Sequence, residues 1–265
     1  MKQAEDYREE ANVLAEVLAP LKDADFQTET LFKGWTINDV IGHLHMFDVA
    51  ALRTLESTDA FAAFFAPIAA GMQQGKTLLE TQYPWLDGLE GEALFAVWHE
   101  TTGKLANAYA TADPKQRVKW AGPDMSALSS ITARQMETWA HGHEVFDLLG
   151  ETRIESDRIK NIVVLGVNTF GWTYHVRKWE VPAAMPYLEL NAPSGAVWTF
   201  GEDTSGNRIA GSAVGFAQAV TQTRNWADTD LRPEGDVALT WMENAQCFAG
   251  GVKQPPAKDT RFIQA

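Results

Sequence analysis

Glu137 and His141 sit four residues apart in a long helical stretch, and His43 lies inside an earlier one. Residues four apart on a helix are offset by only ~40° around the axis and ~6 Å along it, so this carboxylate and imidazole can aim at one point. An imidazole from a neighbouring helix would complete a three-ligand set with an open position, the arrangement of a catalytic metal ion. Zn²⁺ is the default for such a set, and Ni²⁺, Fe²⁺ and Mn²⁺ also suit histidine and carboxylate donors. An ion held this way could lower the pKa of a low-molecular-weight thiol, or ionise water for hydrolysis. Spacing alone leaves two other readings open: a salt-bridged surface stripe, or a buried hydrogen-bonded pair.

Arg134, Glu137, His141 and Glu144 fall along one helical stripe, with Met136, Trp139, Ala140 and Phe146 as apolar neighbours. If that stripe faces inward, its charges need partners or a metal. His43 and His45 point to different faces, as do His141 and His143, so one of each pair can join the set. Asp39, four before His43, could orient that imidazole or simply cap its helix. A small substrate carboxylate would need local cations in an acidic chain, and Arg134, Arg224 and Arg177 are the candidates. His175 among Trp172, Tyr174 and Trp179, and His99 beside Trp98, read as packed in aromatic surroundings. Cys247 reads as a small packed residue.

The elements that would position these groups are mostly helical in the first 180 residues. Tyr7, Ala11, Leu14 and Leu18 recur at helical spacing over Ala4–Ala19, which Pro20 ends. Thr36 and Asp39 make a capping-box-like start for a helix over Ile37–Leu55. Further helices are expected over 60–82, with irregularities at Pro67 and Gly71, then over 92–110, from a Ser126 or Ser129 cap to Leu149 before Gly150, and over 155–178. Clustered Pro182, Pro186 and Pro193 then end the helical texture. Strands are expected at Tyr187–Leu190, Ala196–Phe200 and Ile209–Gly211, helices over 211–224 and 236–249, and an extended arm at the end. The predicted class is α+β: an up-down four-helix bundle over 1–180 and a small α+β domain over 181–265.

The chain has 265 residues, 45% of them hydrophobic, enough for a sizeable core. A net charge of −13 without a clustered basic face argues against nucleic acid. A small molecule is the expected partner. The single cysteine excludes an internal disulfide and a cysteine-based zinc knuckle. The charged start has no apolar signal region, and no apolar run approaches the ~20 residues of a membrane span. A cytosolic protein is expected, with a homodimer one option for its assembly.

Two motifs carry a resemblance. Trp35-Thr-Ile-Asn-Asp39-Val-Ile-Gly-His43-Leu44 resembles the first metal motif of the DinB-like bundle proteins, in particular the N-terminal domain of mycothiol-dependent maleylpyruvate isomerases. Arg134-x-x-Glu137-x-x-x-His141-Gly142 resembles the second, although Glu144 stands where relatives often have Asp. The resemblance implies His43, Glu137 and His141 as metal ligands, and a mycothiol-type thiol used for isomerisation or S-transfer. Leu188-Glu-Leu-Asn-Ala-Pro-Ser-Gly195, Trp198-Thr-Phe-Gly201, Gly211-x-Ala-Val-Gly-Phe216 and Ala245-Gln-Cys-Phe-Ala-Gly250 resemble an uncharacterised branch of the same superfamily. Its C-terminal part carries a label suggesting tRNA wyosine-base formation. Acidity and a lone cysteine, which cannot hold an iron–sulfur cluster, argue against that activity. The C-terminal part also resembles sterol-carrier-like modules, which implies the alternative of a non-enzymatic protein binding a metal or an apolar ligand. A metal-dependent hydrolase is the other alternative.

Overall fold

The computed structural model describes residues 1–203 and 206–264. It divides into two compact units, Met1–Leu148 and Leu149–Ala265. In the first unit, among the described residues, four long helices pack around one core: α1 (Lys2–Leu18), α2 (Ile37–Glu56), α5 (Gly91–Thr111) and α6 (Ala127–Leu148). Each of α1 and α2 packs on both α5 and α6. The apolar stripe of α1 buries Tyr7, Ala11, Leu14 and Leu18, and Trp98, Leu105, Tyr109, Ile131 and Trp139 fill the centre. None of the helices is long and apolar enough to cross a membrane.

Caps fix the helix starts. Thr36 and Asp39 form the expected capping box of α2, each side chain bonded to the other's backbone N–H. Ser126 Oγ accepts from Ser129 N at the start of α6. The single helix expected over 60–82 is two helices, α3 (Thr58–Gln73) and α4 (Leu78–Leu86). Gly75 at φ 86° breaks the chain, and Thr77 with Glu80 forms a second capping box. Pro67 lies inside α3 without ending it. The Ala63 carbonyl it leaves without a helical partner belongs to an exposed residue, where water can satisfy it. A short antiparallel pair, β1 (Arg117–Val118) with β2 (Met125–Ser126), closes the loop before α6.

The second unit starts about thirty residues earlier than the boundary expected near 180. Its helices α7 (Lys160–Asn168) and α8 (Phe170–Val176) pack with it. Gly166 lies so close to Val220 and Phe216 that a Cβ there would meet Val220 Cγ2 at 2.8 Å. Phe170 and Phe216 both set their rings edge-on to Trp241. The sheet runs β4 (Val197–Phe200), β3 (Tyr187–Asn191), β5 (Arg208–Ser212), β6 (Arg232–Glu234). β3 is antiparallel to β4 and parallel to β5, and β5 is antiparallel to β6. Period-two alternation buries Leu188, Leu190, Trp198 and Ile209. The helix α9 (Ala213–Thr221), capped by Ser212, packs on β3 and β5, and α10 (Asp236–Asn244) follows β6. Among the described residues the terminal arm has no regular structure but is tied down: Arg177 Nη2 donates to the Lys253 carbonyl and Asn225 Nδ2 to that of Pro256.

Candidate metal centre

Residue spacing within α2 and α6 builds the centre. α6 presents Glu137 and His141 from one face, and α2, packed on α6, presents His43. His43 Nε2 lies 3.4 Å from Glu137 Oε2, and His141 Nε2 lies 3.5 Å from the same oxygen. One ligand atom from each of the three residues falls within 4.8 Å of the others. The three side chains are 9%, 12% and 26% exposed for His43, His141 and Glu137, so the centre is recessed but reachable.

The 28–37 segment roofs one side. Lys33 and Gly34, at φ 57° and 69°, form a turn with positive φ at both central residues, closed by Trp35 N donating to the Phe32 carbonyl. Thr30 N donates to the Trp35 carbonyl and Ile37 N to that of Thr28, so the turn is clamped onto the start of α2. This places Trp35 in a parallel stack on His141 at 5.9 Å, and Phe32 edge-on to the same ring at 5.1 Å. Phe47, one turn after His43, lies 4.9 Å from the His43 ring.

Protonation follows from this burial. Taking the His43 imidazolium out of water pushes its pKa down to about 4, against the opposing pull of the Glu137 hydrogen bond. Burial alone would raise the Glu137 carboxyl, but bonds from His141 and His43 outweigh it and hold the group well below the usual carboxylate range. At neutral pH the set therefore offers a neutral His43 and an ionised Glu137, the forms a metal ion binds. Two ligands ~2.05 Å from one ion at the tetrahedral angle sit ~3.4 Å apart, and the two measured contacts to Glu137 match that separation. The residues fit a divalent ion by donor type and protonation, and both imidazoles stand at ligand spacing from the Glu137 oxygen.

The other expected residues fall elsewhere. Asp39 does not orient His43: its Oδ2 accepts from Thr36 N and its Oδ1 from Tyr83 Oη, while buried His43 Nδ1 has no hydrogen-bond partner among the described residues. The anion-clamp position expected for Arg134 is corrected to an interior one. Arg134 is 1% exposed, with Nε donating to Asp48 Oδ1 at 2.8 Å and Nη2 to the Leu44 carbonyl at 3.2 Å. Trp98 Nε1 donates to the other Asp48 oxygen at 3.2 Å. Arg224 belongs to the second unit, just after α9, where Nη1 donates to the Thr223 carbonyl at 3.0 Å. Arg177 holds the terminal arm. His45 packs on Trp85, His143 edge-on to Trp139, His99 on Phe95 and His175 near Trp172. Cys247 is buried. The sequence reading passed over Asp48 and Phe47, although both leave a trace: Phe47 is four after His43, and Asp48 interrupts the apolar stripe Leu44–Asp48–Ala51.

Comparison with known proteins agrees with this architecture. Residues 7–146 match the family model of the mycothiol maleylpyruvate isomerase N-terminal domain. Two uncharacterised proteins of Mycobacterium tuberculosis, from strains CDC 1551 / Oshkosh and ATCC 25618 / H37Rv, are each 34% identical over 253 residues, covering 96% of both chains. The crystal structures of a mycothiol-dependent maleylpyruvate isomerase and of a histidine-to-alanine mutant of it superpose with TM-scores of 0.53 and 0.54. They cover 82% of this chain and 87% of theirs at 16% identity, a likeness of fold. The helical unit, its motifs and the family match converge: the chain belongs to the mycothiol maleylpyruvate isomerase N-terminal domain family.

Proposed function

We propose that this protein is a divalent-metal enzyme that uses a low-molecular-weight thiol of the mycothiol type for isomerisation or S-transfer on an electrophilic substrate. The observation that carries the reading is the convergence of three ligand atoms within 4.8 Å on two helices, open on the Glu137 side. His43 Nε2, His141 Nε2 and one Glu137 oxygen would hold the ion, with Zn²⁺ first by donor set. A bound ion would supply Lewis acidity, lowering the pKa of a thiol at the open position. Glu137 and the two imidazoles set where that sulfur stands, and Trp35, Phe32 and Phe47 keep water from the rest of the shell. The sulfur has to come from outside, because Cys247 is buried in the second unit.

Elemental analysis of the purified chain beside His43→Ala and Glu137→Gln tests the centre. About one equivalent of metal is expected in the parent, and little or none in each variant. Equal metal in all three sinks the ligand assignment. Incubating the metal-loaded parent with mycothiol and maleylpyruvate, or with mycothiol and a chlorodinitroarene, tests the chemistry. Ester or amide cleavage without thiol, and no thiol-dependent turnover, would replace the reading with hydrolysis.

A further inference from the structure

The centre is flanked by aromatic rings that are half-buried, unlike Trp98 and Trp139, which are fully buried and do the packing work of the same bundle. Trp35 and Phe32 pack on His141, and Phe47 packs on His43. From Phe47 the rings continue outward: Trp120 at 5.9 Å, then Phe61 stacked on Trp120 at 5.9 Å, then Phe65 stacked on Phe61 at 5.5 Å. Phe61 and Phe65 line a groove of about 310 Å³ on α3, walled also by Ala62, Ala66 and Ala69 and edged by Thr58 and Lys119. An aromatic track therefore runs from the ligand cluster to an open apolar groove. Rings left partly exposed beside a polar cluster supply large, flat contact area, as in small-molecule sites with a few convergent polar groups.

The cations near this surface are already engaged, Lys119 of the groove wall included: its Nζ pairs with Asp124 Oδ2 at 2.8 Å. The four arginines of the first unit are engaged elsewhere: Arg8 with Asn107, Arg53 with Glu56, Arg117 with the Asp124 carbonyl, and Arg134 in the interior with Asp48. Lys33 Nζ lies over the Phe32 ring at the turn. We infer that the molecule presented to this centre carries a planar apolar group, an arene or comparably flat electrophile, that stacks along Phe47 and Trp120 towards the α3 groove. A compact dicarboxylate is not what this surface selects. The inference rests on the proposed thiol-dependent reading, and it changes the substrate class expected from the sequence, where a small carboxylate was in view.

The test uses the metal-loaded full chain and two adducts of one thiol. Calorimetry compares S-(2,4-dinitrophenyl)-N-acetylcysteine with S-(1,2-dicarboxyethyl)-N-acetylcysteine on the parent, Trp120→Ala and Trp120→Phe. The aryl adduct should bind the parent at least tenfold tighter. Trp120→Ala should weaken it about tenfold with metal content and dicarboxylate affinity unchanged, and Trp120→Phe, the conservative variant that keeps a ring, should restore most of it. Equal or tighter binding of the dicarboxylate adduct, no binding of either, or aryl affinity unmoved in Trp120→Ala overturns the inference. Should Trp120→Ala fail to fold, the preference between the two adducts on the parent and on Phe47→Leu decides. Metal content of the same samples reads the centre separately: an aryl preference without bound metal would sink the proposed function and leave the substrate class standing.

Discussion

Replacing Asp48 by Asn should cost the first unit about 3–5 kcal/mol, the usual loss when one partner of a buried ion pair is removed. Asp48 is 0% and Arg134 1% exposed, joined at 2.8 Å. Burial works against the Arg134 charge, but the carboxylates of Asp48 and Glu137 outweigh it, so the guanidinium stays ionised. Asn keeps the shape and an acceptor for Arg134 but no charge, leaving a cation in the middle of the bundle. Against a total stability of about 5–15 kcal/mol this is a large fraction. With ~2–4 °C per kcal/mol for chains of this size, it corresponds to a fall in Tm of roughly 6–20 °C. Urea denaturation followed by tryptophan fluorescence measures it, since Trp98 and Trp139 are fully buried in this unit. The double variant Asp48→Leu/Arg134→Met removes both charges at similar volume and should recover part of the loss, short of the cost of leaving buried Trp98 Nε1 without its acceptor. A loss below ~1 kcal/mol for Asp48→Asn, or a double variant no more stable than the single, refutes the reasoning. Under the proposed function the double variant should bind metal as the parent does, since Arg134 belongs to the packing beneath the centre.

Three more outcomes follow from particular contacts. Gly42→Ala should cost about 1–3 kcal/mol by overpacking, because the new Cβ would meet Gln82 Nε2 at 2.5 Å and Leu86 Cδ1 at 2.8 Å; denaturant midpoints check it. Burial pushes the His45 pKa down from 6.5 to about 4, so protonation favours the unfolded chain. Its contribution is intact above pH 6.5 and is lost progressively as pH falls towards 4, by up to about 3 kcal/mol. His45→Phe, which keeps a ring against Trp85, should reduce the slope of the stability profile of metal-free protein in that window, with His43 supplying the remainder, and an unchanged slope would contradict the assignment. Arg177→Ala should free the arm it holds through the Lys253 carbonyl, seen as faster proteolysis between 250 and 264 with the rest of the chain intact.

Local signals were legible where one stretch of chain decides the outcome. The capping box at Thr36 and Asp39, the end of α6 before Gly150 and the alternation of Leu188 and Leu190 each depend on neighbours a few residues away. The second capping box, Thr77 with Glu80, was equally present in the sequence, and reading it would have split the expected 60–82 helix correctly. The domain boundary was not readable this way. Helical texture persists to residue 176, but Gly166 and Phe170 are placed by Phe216, Val220 and Trp241, fifty or more residues later.

The same division holds at the centre. By itself the sequence determined that Glu137 and His141 share a helix face, because helical geometry fixes relations at a spacing of four, and that His43 lies within a helix capped at Thr36. The motif resemblance pointed to His43 over His45, and the tertiary structure brings His43 to Glu137; it alone decided that Asp39 serves the cap and Tyr83 instead of an imidazole. It alone turned Arg134 inward to Asp48 and set half-buried Trp120 beside Phe47. Such choices depend on how α2 rotates against α6, and that rotation is set by packing the whole bundle.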